Sequence, residues 1–261
     1  MKILKPGFNL DDFFSSLRTA QKRALMLDYD GTLAPFRCDR DKAVPYPGVK
    51  ELLQKITATG RTRLIIISGR PVENLVYLLG PSIHPEIWGS HGYERLTPDG
   101  KRMLSDLPQG VQEGISEAVK WIEKEGLRNF IEMKPAGIAF HWRGQNQEDI
   151  DCLQDKIRKK WVSVAGNFGL ILSEFDGGLE LRPADISKAD AVEIIIKETG
   201  SNAVLAYLGD DVTDEDAFGA LHGSGLSVLV RTMFRQTAAD IWLTPPEELL
   251  AFLEQWIAYG G

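Results

Sequence analysis

The sequence predicts an α/β protein in which a doubly wound sheet carries an inserted α+β domain. Three apolar runs lead to this prediction: ALML at 24–27, LIII at 64–67 and VLAYL at 204–208, each followed at once by polar residues and glycine. Short, continuously apolar runs that end in this way are typical of strands buried on both faces of a parallel sheet. We therefore expect a Rossmann-like core sheet, with polar residues gathered at the carboxyl ends of its strands.

The spacing of the runs indicates where the additional domain is inserted. Roughly 120 residues separate Ser68 from Lys188, more than the few strand–helix units that complete such a sheet require. We expect a core of residues 1–106 and 183–261 and an α+β cap of residues 107–182, hinged near 101–108 and 182–185. The elements expected from apolar spacing are a core helix at 49–59, cap helices at 111–125 and 149–164, and cap strands at 130–133, 137–142, 170–174 and 178–181.

Two carboxylates, Asp28 and Asp30, follow the first run in the string DYDGT. Side chains two positions apart point the same way at a strand end, so both can address one small volume. A carboxylate can attack phosphorus to form an aspartyl-phosphate, while a second one moves protons for the leaving alcohol and the attacking water. We predict Asp28 as the nucleophile and Asp30 as the acid and base. The alternative is a polar turn after a strand.

The second run ends in Ser68, Gly69 and Arg70, and a lysine, Lys188, lies near the start of a later predicted helix. A hydroxyl group and backbone amides at a strand end can bind phosphate oxygens. We predict Ser68 and Lys188 as catalytic residues and Gly69 and Arg70 as substrate-binding residues. The alternatives are a helix cap at Ser68 before Pro71, and a solvated helix lysine at position 188.

The third run leads into GDDVTDED, which holds five carboxylates within seven residues. Such a cluster repels itself strongly unless a cation binds there. Mg²⁺ suits it, because this hard ion takes few protein carboxylates and keeps waters or phosphate oxygens as its other ligands. We predict Mg²⁺ on the carboxylates of Asp28 and Asp210 and the backbone carbonyl of Asp30, with Asp211 and Asp214 orienting the ligands. The alternative for some of these acids is a capped first helical turn.

Taken together and in chain order, these segments resemble the four motifs of the haloacid dehalogenase-like phosphotransferases. Longer strings resemble the trehalose-6-phosphate phosphatases of that superfamily: LDYDGTLAPF, IISGR, SHGYE, GIAFHWR, LELRP and LGDDVTDEDAF. The resemblance extends from Leu25 to Trp256. Two positions depart from the family pattern, since Ser90 stands where a glutamate is usual and Ala189 where a glycine is usual.

The resemblance implies a magnesium-dependent phosphatase that hydrolyses trehalose 6-phosphate to trehalose and phosphate, the last step of trehalose biosynthesis. It also implies that residues of the cap and of the core edge contact the sugar, although a solvated strand face would show the same pattern. The candidate substrate-binding residues are His91, Glu94, Lys134, His141, Arg143 and Glu180.

Other functions are compatible with the same residues. The substrate could be another glycosyl phosphate, such as glucosylglycerol phosphate or mannosyl-3-phosphoglycerate, or the enzyme could be a phosphosugar mutase. A catalytically silent sugar-phosphate sensor, or a partner domain of a trehalose-phosphate synthase, is a third class. The presence of Asp28, Asp30, Lys188 and Asp210 argues against that class, because a binding module has no need of an intact acid and base.

Composition sets further bounds. The chain has 261 residues, of which 43% are hydrophobic, so it can bury a sizeable core. Its formal net charge of −7 argues against nucleic acid or an anionic membrane as the main partner. Cys38 and Cys152 lack metal-ligand spacing, and the amino-terminal segment lacks a continuous apolar stretch. We expect a cytoplasmic monomer with reduced thiols, a small sugar-phosphate substrate and, as an open possibility, functional pairing with a synthase.

Overall fold

The fold is described by a computed structural model that covers residues 1–37, 39–142, 147–175 and 177–260, without the side chains of 147–152. Contacts divide the chain into two compact units, a core unit of Met1–Met103 and Ser187–Gly261 and an inserted unit of Leu104–Ile186. These limits lie three and four residues from the predicted divisions at 106/107 and 182/183. The roles of the two units as catalytic core and cap stay predictions.

The regular elements of the described chain are as follows. The strands are β1 (Lys2–Ile3), β2 (Lys22–Leu27), β3 (Thr62–Ile67), β4 (Glu86–Gly89), β5 (Glu94–Leu96), β6 (Arg102–Leu104), β7 (Ile131–Lys134), β8 (Gly137–His141), β9 (Leu170–Phe175), β10 (Gly178–Pro183), β11 (Ala203–Gly209), β12 (Leu226–Val230) and β13 (Ile241–Leu243). The helices are α1 (Leu10–Thr19), α2 (Val49–Ala58), α3 (Val72–Leu79), α4 (Gln109–Lys124), α5 (Gln147–Phe168), α6 (Lys188–Thr199), α7 (Glu215–Leu221) and α8 (Glu247–Gly260).

The main sheet has the strand order β1-β13-β12-β11-β2-β3-β4-β5-β6. Neighbouring strands from β13 to β4 pair in parallel, whereas β1 and β5 pair antiparallel with β13 and β4. The predicted α/β class with a largely parallel central sheet is therefore confirmed. In this order β2 lies between β11 and β3, so the ends of all three predicted motif strands are adjacent.

Both faces of the sheet are covered, as the uninterrupted apolar strands require. Leu25 and Leu27 pack in one buried cluster with residues of α1, α2, α3 and α8. The alternate residues Ala24 and Met26 pack in a second cluster with residues of α6 and α7. Successive side chains of a strand point to opposite faces, so a strand apolar at every position is stable only between two layers of helices.

The inserted unit contains an antiparallel sheet of order β7-β8-β10-β9. Ile138 and Phe140 of β8 and Leu179 and Leu181 of β10 pack with the buried Trp161 of α5 and with residues of α4. One face of this sheet is thus covered by helices, and the alternate strand positions lie on the other face.

The helices of the inserted unit are longer than the sequence predicts. The helix expected over 149–164 spans Gln147–Phe168, and the one expected over 111–125 spans Gln109–Lys124. Gly169 follows α5 with a φ of +66°, a left-handed conformation that glycine adopts readily at the end of a helix. No helix in the described ranges is both long enough and apolar enough to cross a bilayer.

The packing of α8 against α1 gives a first prediction. Phe252 is fully buried, and its ring centroid lies 5.3 Å from that of Phe14. Replacing Phe252 by alanine leaves a cavity at this contact, and we expect Phe252→Ala to lower the free energy of unfolding by about 3–5 kcal/mol. Equilibrium urea unfolding measures this. The control is Tyr77→Ala, since Tyr77 is 74% exposed; equal unfolding midpoints for the two variants would contradict the packing described.

Candidate active site

The polar residues that follow β2, β3 and β11 meet at one edge of the main sheet. Asp28 directly follows β2, Ser68 follows β3, and Asp210 follows β11. These three side chains are buried, with exposed fractions of 4%, 2% and 2% for their residues. Burial of a carboxylate is costly without compensating partners, so the contacts of Asp28 and Asp210 indicate what the site is built to do.

Lys188 forms the central ion pair of the site. Its Nζ donates to Oδ1 of Asp28 at 2.7 Å and to Oδ1 of Asp214 at 2.6 Å, and all three side chains are nearly inaccessible to water. Lys188 is the first residue of α6, where Ser187 caps the helix through a reciprocal pair of hydrogen bonds with Asp190. The interpretation of Lys188 as a solvated helix lysine is therefore wrong. Its ammonium group lies against the predicted nucleophile.

Asp214 connects this lysine to the chain around Asp210. Besides Lys188, the carboxylate of Asp214 accepts hydrogen bonds from the hydroxyl of Tyr207 at 2.5 Å and from the backbone amides of Asp210 and Asp211 at 3.0 Å each. An ionised carboxylate with several donors is held in one orientation. Asp214 thus contacts both Lys188 and the Asp210 turn, and its supporting role in metal binding stays a prediction.

The carboxylates of Asp28, Asp210 and Asp214 form a cluster in which one oxygen of each lies within 4.8 Å of the others. Burial, reinforced by the charges of Asp214 and Asp30 and opposed by Lys188, raises the pKa of Asp28 to about 7. Burial and the charges of Asp28, Asp214 and Asp211 raise the pKa of Asp210 well above its usual range. Burial alone would lower the pKa of Lys188, but Asp214 and Asp28 raise it above its ordinary value.

The donor set of this cluster fits a divalent cation. Lys188 contacts two of the three buried carboxylates, those of Asp28 and Asp214, and Arg231 approaches Oδ2 of Asp210 only to 3.8 Å, so carboxylates outnumber the ammonium group within the described cluster. Oxygen ligands with unbalanced negative charge suit Mg²⁺. The cluster includes Asp214, whereas the sequence prediction took the carbonyl of Asp30. Because Asp214 is already occupied by four donors, Asp28 and Asp210 are the better carboxylate ligands.

Asp30 lies beside this cluster in a different pairing. Its two carboxylate oxygens accept from Nε and Nη2 of Arg70 at 2.6 and 2.7 Å. The Arg70 side chain is 2% exposed, and its remaining Nη1 donates to Asn74. The predicted substrate-binding role of Arg70 stays a prediction. In this structure its guanidinium group binds the carboxylate of Asp30.

Ser68 and Arg70 are joined to the SHGYE segment by backbone hydrogen bonds. The amide of His91 donates to the carbonyl of Ser68 at 3.0 Å, and that of Ser90 donates to the carbonyl of Arg70 at 2.9 Å. Ser90 and His91 both have positive φ, +50° and +60°. Consecutive left-handed non-glycine residues are costly and are common at functional sites. A side chain at position 69 would meet the His91 ring at 2.6 Å, so only glycine allows the ring this position.

Two further predicted residues serve the local chain. The carboxylate of Glu94 accepts from the hydroxyl of Ser90 at 2.9 Å and from the backbone amide of Val72 at 3.2 Å. Glu94 thus supports both the His91 turn and the start of α3. The carboxylate of Asp211 accepts from the amide of Val212 at 2.8 Å. This contact makes Asp211 the cap of a helical turn, which is the alternative considered from the sequence.

The predicted sugar-binding residues of the inserted unit lie on the sheet face opposite its helices. Lys134 and Glu180 form an ion pair of 2.8 Å in which each side chain is 6% exposed. His141 contacts Glu132 through Nε2 and Oε2 at 2.9 Å. Arg143 lies outside the described residues, as does Cys38, and the side chain of Cys152 is likewise not described.

Sequence reasoning missed Tyr207 and Arg235. Tyr207 lies within the apolar run of β11, three positions before Asp210, and a hydroxyl in an otherwise apolar strand is the signal that could have found it. Arg235 lies far along the chain from the motifs and donates to the carbonyls of Asp210 and Asp211. No sequence pattern singles it out.

The glycine of DYDGT gives a prediction. Gly31 has a φ of +83°, and a Cβ at this position would lie 2.2 Å from Oδ2 of Asp210. We expect Gly31→Ala to displace that carboxylate and to weaken Mg²⁺ binding about tenfold or more, as measured by isothermal titration calorimetry. Gly7→Ala is the matched control, because Gly7 has a φ of +75° but no atom within 4 Å of the added Cβ. Equal Mg²⁺ affinities in both variants would show that Asp210 is not a ligand.

The chain is similar to known proteins over most of its length. The family model for trehalose-phosphatase matches residues 26–241. A trehalose-phosphate phosphatase from Mycobacterium leprae is 29% identical over 91% of this chain and 58% of its own length. The chain thus spans well under two thirds of that relative.

Solved structures show the same fold. The C-terminal domain of the Candida albicans trehalose-6-phosphate phosphatase has a TM-score of 0.82, covers 99% of both chains and is 21% identical. A haloacid dehalogenase-like hydrolase from Bacteroides thetaiotaomicron has a TM-score of 0.63 over 90% of this chain and 99% of its own, at 17% identity. With the family match over residues 26–241, which is most of its length, this chain belongs to the trehalose-phosphatase family.

Proposed function

We propose that the chain is a magnesium-dependent phosphatase that converts trehalose 6-phosphate and water to trehalose and phosphate. The observation that carries this proposal is the buried Asp28 carboxylate, held by Lys188 at 2.7 Å beside the carboxylate of Asp210. A nucleophile for a phosphate ester must be ionised when it attacks, and the ammonium group of Lys188 favours the ionised form of Asp28 against burial, which raises the pKa of this carboxyl. Membership of the family supports the choice of substrate, and the contacts of the site support the type of reaction.

In the first half-reaction, a carboxylate oxygen of Asp28 attacks phosphorus. The bond from phosphorus to the sugar oxygen breaks, its electron pair goes to that oxygen, and Asp30 gives it a proton. In the second, Asp30 takes a proton from water, whose oxygen attacks the aspartyl-phosphate. The bond to Asp28 breaks, and phosphate and the free carboxylate result. The first step starts from protonated Asp30, and the second returns the proton to it. The fork of Arg70, which contacts both oxygens of Asp30, orients the ionised form that takes the proton in the second step.

Lys188 and Ser68 would hold the phosphate in place. The ammonium group of Lys188 also donates to Asp214, so this contact remains when Asp28 carries the phosphoryl group. The hydroxyl oxygen of Ser68 accepts from the amide of Arg70 at 3.2 Å, which leaves its own proton available for a phosphate oxygen. Lys188 would thus provide a positive charge and Ser68 a hydrogen-bond donor to the transferred phosphoryl group, whose negative charge must be stabilised in the transition state.

Asp28 and Asp210, with the backbone carbonyl of Asp30, would hold the Mg²⁺ ion. When bound, this ion would neutralise phosphate charge and balance the buried carboxylates. Asp214 would act through its hydrogen bonds to the Asp210 and Asp211 amides rather than as a ligand. The excess of carboxylate over ammonium charge in the described cluster supports this assignment.

The inserted unit is proposed to act as the substrate-specificity cap. A site that recognises phosphate does not by itself distinguish the attached alcohol, so a further set of polar groups must do so. Lys134, His141 and Glu180 lie on the helix-free face of its sheet, where they would contact sugar hydroxyl groups. We further propose a cytoplasmic monomer, whose functional pairing with a trehalose-phosphate synthase is tested by co-purification of the two proteins.

A substrate comparison tests the function. We expect phosphate release with Mg²⁺ to be strongly preferred for trehalose 6-phosphate over glucose 6-phosphate, glucosylglycerol phosphate, mannosyl-3-phosphoglycerate and p-nitrophenyl phosphate. Chelation of divalent metal should stop the release, because the buried carboxylates would lose their counter-ion. The Asp28→Asn variant, prepared identically, is the blank for contaminating phosphatases.

The outcomes separate the parts of the proposal. Preference for another ester would contradict the substrate while leaving the roles of Asp28 and Asp30 intact. Undiminished release in the presence of chelator would contradict the role of Asp210. The absence of release from every ester would contradict phosphatase activity and favour a mutase or a sugar-phosphate sensor.

A further inference from the structure

The turn that carries Asp210 must satisfy its backbone groups outside the sheet. Strand β11 ends at Gly209, so the peptide groups of Asp210 and Asp211 are beyond the ladder that pairs β11 with β2 and β12. Buried backbone groups without a partner cost free energy and allow the chain to shift. Two amides of this turn, those of Asp210 and Asp211, donate to the carboxylate of Asp214.

The carbonyl groups of the same two residues are bound by arginine, and the carbonyl of Asp211 also accepts from the backbone amide of Asp214 at 3.0 Å. Nε of Arg235 donates to the carbonyl of Asp210 at 3.2 Å, and Nη2 donates to the carbonyl of Asp211 at 2.7 Å. Nη1 of Arg231 also donates to the carbonyl of Asp210, at 3.3 Å. The turn is thus held between a carboxylate on its amides and a guanidinium group on its carbonyls.

Arg235 is itself anchored. Its Nη1 forms an ion pair with Glu215, the first residue of α7, and donates to the carbonyl of Gln236 at 2.9 Å. The second oxygen of Glu215 accepts from the amide of Ala238 at 2.7 Å. The Arg235 side chain is 19% exposed, compared with 36% for Arg231. Its guanidinium position is therefore well determined by the segment between β12 and β13.

We propose that Arg235 is a positioning residue for Asp210, which it holds in the orientation required to bind the metal ion. The inference rests on the proposed function, because it takes Asp210 as a Mg²⁺ ligand. A ligand carboxylate can be displaced by movement of its own backbone, and hydrogen bonds around a metal site commonly control the affinity. The planar fork of arginine reaches two successive carbonyl groups, which a lysine ammonium group would not do in the same geometry.

Direct measurement of Mg²⁺ binding tests this role. We expect Arg235→Met to raise the dissociation constant for Mg²⁺ about tenfold in isothermal titration calorimetry without substrate. Arg235→Lys should also bind Mg²⁺ more weakly than the unmodified protein, since it keeps the charge but loses the paired contacts. In phosphatase assays, the Mg²⁺ concentration for half-maximal rate should rise in both variants, and saturating Mg²⁺ should restore most of the rate.

A second variant distinguishes positioning from general stabilisation. Glu215→Gln weakens the ion pair that ties Arg235 to α7 but leaves the guanidinium contacts to the two carbonyl groups. If Arg235 positions Asp210, Glu215→Gln, which keeps an oxygen able to accept from Nη1 of Arg235, should lose less Mg²⁺ affinity than Arg235→Met at a comparable loss of stability. Arg128→Met, which removes an exposed arginine paired with Glu123 in the inserted unit, should change neither quantity.

The inference is overturned if folded Arg235→Met or Arg235→Lys binds Mg²⁺ with unchanged affinity while Asp210→Asn does not bind it. It is equally overturned if Glu215→Gln and the Arg235 variants lose affinity in proportion to their loss of stability. If the unmodified protein binds no Mg²⁺, the proposed metal role is contradicted, and the positioning role with it. Unchanged affinity in the Arg235 variants contradicts only the positioning role, so the two failures are distinguishable. Should Arg235→Met not fold, the Arg235→Lys comparison decides.

Discussion

The site depends on one buried ammonium group, that of Lys188, placed between the carboxylates of Asp28 and Asp214. Losing one partner of a buried ion pair commonly costs about 3–5 kcal/mol, because the other charge stays buried without compensation. The main sheet brings Asp28 to its edge, and the capped start of α6 brings Lys188 there. Much of the core unit can therefore be understood as a scaffold that keeps these charges at hydrogen-bonding distance in a place from which water is largely removed.

This ion pair leaves Asp210 to be balanced by something else. Its carboxylate lies over the Cα atom of Gly31, where any side chain would collide with it, and its turn is held by Asp214 on one side and Arg235 on the other. A buried cluster in which carboxylates outnumber the ammonium group is the kind of oxygen donor set on which we propose that Mg²⁺ binds. The same arrangement raises the pKa of Asp210, first through burial and then through the charges of the neighbouring carboxylates.

The main sheet and the meeting of Asp28, Ser68 and Asp210 were predictable from sequence, because apolar strands that end in polar residues place those residues at one edge. Side-chain pairings were less predictable. Nothing in the string IISGR indicates that Arg70 turns to Asp30, since that contact depends on the distance between two loops. The capping contact of Asp211 was one of two alternatives that composition alone could not separate. Arg235 lies outside every motif, and only the folded chain brings it to Asp210.

The most direct test of the account is to identify the residue that carries the transferred phosphoryl group. The protein would be mixed with Mg²⁺ and trehalose 6-phosphate, quenched in acid within its first turnovers, digested and examined by mass spectrometry. We expect one phosphoryl group on the peptide that contains Asp28, and none on that peptide in the Asp28→Asn variant. A phosphoryl group on another residue, or turnover with no phosphorylated peptide at any quench time, would contradict Asp28 as the nucleophile.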